Sequence, residues 1–195
     1  MIYDPDMTLS DARDRYFRLS GFGPGGGYQE RWIKVKVWRI PIWLPNTEGR
    51  RRAVKLHDLH HILTEYPTTW KGEAEISAWE VGSGGLRRYY AGWLLDLMNI
   101  AQGLVVNPKG VYRGFMHGRR TSNLYDLEFN EQLLRGHVGD LRKRLQLDRQ
   151  SEPSTGFIDH LAFVFWVLAS VVTYIGVVTL ALMPLVLIAF WIFWR

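Results

Sequence analysis

From His160 to Trp194 the chain carries no lysine, arginine, aspartate or glutamate, and this run limits what the rest of the molecule can be. Leu161–Trp194 is 34 residues, about 51 Å as a straight helix against roughly 30 Å of bilayer hydrocarbon. Two arrangements absorb the excess. A single span over about Leu161–Met183 gives way at Pro184 to a short helix lying on the interface, or a tight hairpin turns near Gly176. Phe163, Phe165 and Trp166 gather at one end and Phe190, Trp191, Phe193 and Trp194 at the other, as rings settling at headgroup depth do. Arg142, Lys143, Arg144 and Arg149 precede the run and Arg195 follows it. The positive-inside bias therefore predicts a polar domain in the cytoplasm, anchored to the membrane by its C-terminal segment. The opening Met1–Asp6 is acidic, lacks an apolar core and is not read as a secretory signal.

The rest of the composition is split accordingly. Residues 1–159 hold 23 of the 24 basic residues and all 19 acidic ones. Cysteine is absent, which excludes disulfides, thiolate metal sites and cysteine nucleophiles. The triplet Arg50-Arg51-Arg52 and a pI of about 9.6 suit anionic headgroups for a membrane-tethered domain. No recognition fingerprint or aromatic-basic platform is present, so nucleic acid is not an expected partner.

Patterning predicts a mainly α chain: a helical bundle with an N-terminal β-hairpin and a C-terminal membrane-embedded helix. A short helix is expected around Ser10–Leu19. The stretch Gly21–Gly27 lacks the Gly-Lys-Ser/Thr of a phosphate cradle and reads as a connector. Strict alternation over Trp32–Trp38 predicts a strand, with Ile40–Leu44 as its Pro-containing partner. Asn46-Thr47 offers an N-cap. Helices follow over about 48–65, 69–82, 85–106, 109–121 and 129–147, punctuated at Pro67, Gly82–Gly85 and Asn107-Pro108. The units are an N-terminal segment (1–30), a metal-binding helical domain (31–150), a linker (151–156) and the membrane tail (157–195).

The chemistry concentrates in His57-Asp58-Leu59-His60-His61 and Glu73. His57 and His61 lie four apart and share a helix face. Asp58 is placed to supply an oxygen or to orient an imidazole. His61 lies six residues before Pro67 and Glu73 six after it, so an antiparallel helical hairpin brings them level. Two imidazoles with one or two carboxylates suit Zn²⁺, or Fe²⁺ or Mn²⁺ where further positions are open. Three rival motifs fail. Membrane di-iron enzymes need several histidine boxes, and His117, His137 and His160 are isolated. A zinc-protease motif needs Glu at position 58. A His-Asp phosphohydrolase needs upstream histidines, and none precedes His57.

His57-Asp58-x-x-His61, eleven residues, then Glu73 resembles the metal signature of the ubiquinone (coenzyme Q) biosynthesis family known as the fourth Coq protein. His61-Ile62-Leu63-Thr64, Pro67-Thr68-Thr69, Gly72-Glu73, Gly118-Arg119-Arg120 and Leu141–Leu145 extend the likeness over roughly 45–147. The resemblance implies an α-helical protein with zinc held by His57, Asp58, His61 and Glu73. It also implies C1 decarboxylation with hydroxylation of a polyprenylated quinone precursor, and a part in holding a membrane-surface biosynthetic complex together. The Gly-rich loop, the strand pair and the hydrophobic tail stand outside it.

Two functions follow as expectations. One is a metal-dependent decarboxylase, a lyase, with Tyr90, Trp93, Leu94, Leu97, Met98 and Leu104 walling an isoprenoid groove. The other is a non-catalytic, structural or lipid-binding subunit whose tail docks on partner membrane proteins.

Overall fold

Side-chain caps explain where several helices begin. Thr8, Thr47, Thr69 and Asn130 each turn a side-chain oxygen onto an N–H of the following turn, and Asn107 does so ahead of Pro108. The computed structural model describes residues 2–23, 25–37, 40–148 and 156–194. Within them the order is α1 (Leu9–Ser20), β1 (Trp32–Val37), β2 (Ile40–Pro45), α2 (Glu48–Thr64), α3 (Trp70–Gly82), α4 (Tyr90–Val106), α5 (Pro108–Gly118), α6 (Glu131–Leu134), α7 (Val138–Arg144) and α8 (Phe157–Phe193). The strands pair antiparallel, Ile33 opposite Leu44 and Val35 opposite Ile42. The fold is thus mainly α with one hairpin, as the patterning predicts. Arg149, the linker residues 151–155 and Arg195 lie outside the described residues.

The core lies between α2, α3 and α5, where Leu56, Leu59, Ile62, Leu63, Ile76, Trp79 and Phe115 are buried. The tightest seam runs along α5, whose Gly110, Gly114 and Gly118 recur every four residues. A Cβ on Gly114 would collide with the Glu75 carbonyl oxygen of α3, so the missing side chain is what lets the two backbones meet.

Three expectations are corrected. The predicted helix over 129–147 is two short ones. Between them the chain is extended and bonded to the N-terminal segment: Leu9 N–H donates to the Gly136 carbonyl (2.8 Å), and Val138 N–H to that of Met7 (2.9 Å). Those long-range bonds outcompete helix continuation through Gly136. Helix α4 starts at Tyr90 rather than near 85, because Gly84, Gly85 and Arg87 take positive φ angles that end helical propagation. The tail neither turns back at Gly176 nor ends at Pro184. Helix α8 runs unbroken through both, since an interior proline removes one backbone bond of many and is compatible with a kink as well as a stop. Its apolar stretch Phe157–Pro184 is long enough to cross a membrane.

Helix α8 is not a detached tail. Its first turns pack on α4 and α5 through a stacked Trp93–Trp166 pair (5.0 Å), Phe163 against Tyr112 and Phe115, and an Arg119–Asp159 ion pair (2.7 Å).

The glycine seam gives a direct test. Gly114→Ala should lower stability by about 1–3 kcal/mol through overpacking, measured by urea unfolding of the full chain in micelles. Gly49→Ala, whose Cβ meets nothing within 4 Å on α2, should instead be neutral or stabilise by up to about 1 kcal/mol.

Candidate metal centre

The hairpin of α2 and α3 is set by local chemistry at its turn. Glu65 closes α2 in a left-handed conformation (φ 60°), Tyr66-Pro67 redirects the chain, and Thr69 caps α3. Gly72 sits so close beneath Pro67 that a Cβ there would strike the proline carbonyl oxygen. Glu73 thereby enters the first turn of α3, facing the last two turns of α2.

Three of the four predicted ligands converge. His57 Nε2 lies 3.2 Å from His61 Nε2 and 3.4 Å from Glu73 Oε2, and His61 Nε2 lies 3.3 Å from Glu73 Oε1. Two ligand atoms at roughly 2.0–2.1 Å from a tetrahedral ion stand about 3.3–3.4 Å apart. Each edge of the His57–His61–Glu73 triangle matches that spacing to within a few tenths of an ångström, so the group could hold a metal ion. His57 is 16% exposed and Glu73 31%, so the group opens to solvent on the Glu73 side.

The other ring nitrogens are already committed. His61 Nδ1 donates to the Tyr66 carbonyl (2.7 Å), and His57 Nδ1 donates to both oxygens of Glu80 (3.0 and 3.1 Å). With each Nδ1 acting as donor, each Nε2 presents a lone pair to the same point. A proton or a metal ion is then required between them. Burial disfavours charge on His57, but the Glu80 charge and hydrogen bonds to Glu73 and Glu80 outweigh it and hold His57 well above its ordinary pKa. In the metal-free protein a proton on His57 therefore holds the metal's place. Burial likewise pushes Glu73 up, and its hydrogen bonds to both imidazoles reverse this and hold it below the usual carboxylate range.

Asp58 stands outside the converging group. Consecutive helical residues differ by about 100° in direction, so its carboxylate points toward α1 and the loop before β1. There it accepts hydrogen bonds from Tyr28 (2.6 Å) and Tyr16 (3.3 Å). Burial raises both hydroxyls above the ordinary tyrosine range and Asp58 above that of a carboxyl. The Tyr16 ring also stacks on His61 (5.8 Å, 20° between planes), so Asp58 supports the centre from behind.

Glu80 was not among the sequence candidates. It is fully buried one helical heptad after Glu73, on the same face of α3. It accepts from His57, from His60 Nδ1 (2.5 Å) and from the Tyr125 hydroxyl (3.0 Å). His60, which the sequence did not mark as a ligand, takes the Leu124 N–H on its other nitrogen (2.9 Å), which fixes its tautomer; burial lowers its pKa and keeps it neutral. Burial pushes Glu80 up, but the His57 charge and these hydrogen bonds hold it well below the usual range. Asp96 of α4 completes a second convergent group with His57 and Glu80. Burial, then the Glu80 charge, raises Asp96 well above a normal carboxyl. Its Oδ1 accepts from the Ser77 hydroxyl (3.2 Å). The Glu-x₆-Glu spacing was the available signal for Glu80. Nothing in the sequence marked Asp96.

The arginine triplet does not form one patch. Arg50 is half-buried and donates to Asn46 (2.9 Å), while Arg52 pairs with Glu48. Among the supposed groove residues, Trp93 stacks on α8 and Leu104 packs against the core, whereas Tyr90 and Leu94 are exposed. No family model, curated protein or solved structure matches the chain.

Two predictions follow from this geometry. His57→Ala and His61→Ala should each lose bound metal by elemental analysis, Glu80→Gln should weaken binding about 10–100-fold, and Asp58→Asn should leave the bound metal in place. Because an ion would displace the His57 proton, which is held well above the ordinary histidine range, zinc affinity in a competition titration should rise about tenfold per pH unit while His57 stays protonated and level off once that proton is lost; a pH-independent affinity throughout would contradict the assignment of that proton.

Proposed function

We propose that the protein is a membrane-anchored metalloprotein of the ubiquinone-biosynthesis type, acting on a polyprenylated aromatic acid by removing its ring carboxylate. The observation that carries this reading is the pair of Nε2 lone pairs aimed at one point beside Glu73, in a domain whose α4 and α5 pack on an apolar helix long enough to span a bilayer. Zinc is the favoured ion, because the donor set has two imidazoles, one carboxylate and no sulfur. When bound, such an ion supplies Lewis-acid stabilisation of negative charge on a phenolate or carboxylate oxygen. His57 and His61 would hold it, Glu80 and the Tyr66 carbonyl would fix their rings, and Glu73 would leave the solvent-facing side open. The reaction balances without an oxidant: the ring–carboxylate bond breaks, CO₂ departs, and C1 takes a proton from the solvent side. The positive-inside bias of exposed Lys143 and Arg144 supports a cytoplasmic domain.

The second reading is a non-catalytic lipid-binding or structural subunit of a membrane complex, favoured by Glu80 and Asp58 being sequestered as supports. The two part on one assay. The full chain in nanodiscs, loaded with zinc and given a prenylated hydroxybenzoate labelled in its carboxyl carbon, should release labelled CO₂, and His57→Ala and Glu73→Gln should lose that release. Tight retention of the prenyl lipid without CO₂ would select the subunit reading, and the absence of both CO₂ release and lipid retention would overturn the two readings together.

A further inference from the structure

Helix α4 is apolar on both sides. Between Tyr89 and Asn107 Asp96 is the one Asp, Glu, Lys, Arg or His, and it faces inward with Gly92, Ile100 and Gly103, all buried. The opposite stripe contains Tyr90, 82% exposed, and Leu94, also exposed. A helix that is apolar all round is normally covered on all sides. The first turns of α8, which meet α4 at Trp166, present Leu161, Val164, Phe165 and Leu168 on the face turned away from the domain, likewise exposed. The two surfaces join at the Trp93–Trp166 stack.

The contacts along α8 change in kind with distance from its start. Asp159 makes an ion pair with Arg119, and His160 meets the Tyr112 hydroxyl (3.0 Å). One turn on, Phe163 meets the rings of Tyr112 and Phe115, and the next turn brings the tryptophan stack. Such grading from charge to aromatic is the order of groups met in passing from headgroups to acyl chains. The apolar stretch Phe157–Pro184 has 28 residues, about 42 Å, the thickness of a bilayer with its headgroup layers. With Phe157 at the outer edge of the headgroups, Asp159 to Phe163 would cross the headgroup layer and Trp166, about 14 Å in, would lie just below it, so the part of α4 that meets Trp166 would be brought to the headgroup–acyl boundary. Exposed Arg88 just before α4 and exposed Lys109 just after it suit anionic headgroups.

We propose that the Tyr90–Leu94 stripe of α4 is seated in the lipid at this boundary, so that the membrane is contacted by two helices and the domain is held in one orientation on its surface. This rests on α8 spanning the bilayer, and the test separates the two statements. The cysteine-free chain allows clean single labelling. Tyr90→Cys, Leu94→Cys, Val172→Cys and Asp14→Cys variants of the full chain would carry a nitroxide in vesicles of phosphatidylcholine and phosphatidylglycerol. Power saturation with oxygen and a water-soluble nickel complex would then report depth. Positive depth parameters at 90, 94 and 172, with a negative one at 14, are expected. Water-phase values at 90 and 94 with a lipid value at 172 would overturn the seating of α4 while leaving the span. Water-phase values at all positions would overturn the span as well. A label at 94 shielded from both reagents would indicate a protein partner on this face and would equally overturn the proposal.

Discussion

Two imidazole nitrogens pointed at each other across 3.2 Å form the constraint around which the centre is organised. Neither ring can turn away, because each donates its remaining N–H to a fixed acceptor, the Tyr66 carbonyl for His61 and the Glu80 carboxylate for His57. Two lone pairs at that distance repel unless a cation lies between them. Glu73 stands beside both, so the site is prepared for positive charge before any ion arrives. Without an ion a proton on His57 satisfies the arrangement, and a bound ion would take that proton's place.

Much of the surrounding fold serves that arrangement. Glu80 could not stay ionised in the core alone, since an isolated buried charge is costly. His57, His60 and Tyr125 supply the donors that hold it. His60 is in turn anchored by the Leu124 N–H, while Asp96, raised well above a normal carboxyl by burial and then the Glu80 charge, is tied to Ser77. Behind the other imidazole, Asp58 gathers Tyr16 and Tyr28 and so binds α1 and the glycine-rich segment to α2. Removing one partner of such a network leaves the rest buried and unsatisfied, which is why Glu80→Gln is expected to act on metal affinity without being a ligand.

The parts of this design that were legible in the sequence are those governed by local spacing. The four-residue interval of His57 and His61, the proline midway to Glu73, the alternating strand at Trp32 and the cap at Thr47 all act within a few residues, and each appears where spacing placed it. What escaped depends on direction and on distance along the chain. Asp58 looked like a ligand because it neighbours His57, yet the helix rotates it onto another face. Asp96 joins the buried network only because α4 packs across α3. The break at Gly136 is made by Met7 and Leu9, about 130 residues away. Pro184 signalled an end to the last helix, but a long apolar helix carries enough remaining backbone bonds to pass through it.

Helix α4 joins the buried network through Asp96 and carries α8 through Trp93, so the same element links the polar cluster to the long apolar helix. X-ray absorption at the zinc edge of the loaded, full-length protein tests the central claim most directly. The account predicts scattering from two imidazole rings together with carboxylate oxygen at about 2.0–2.1 Å, with the ring signal disappearing in a His57→Ala/His61→Ala double variant. A shell of oxygen atoms without imidazole scattering, or a spectrum unchanged by the double variant, would contradict it.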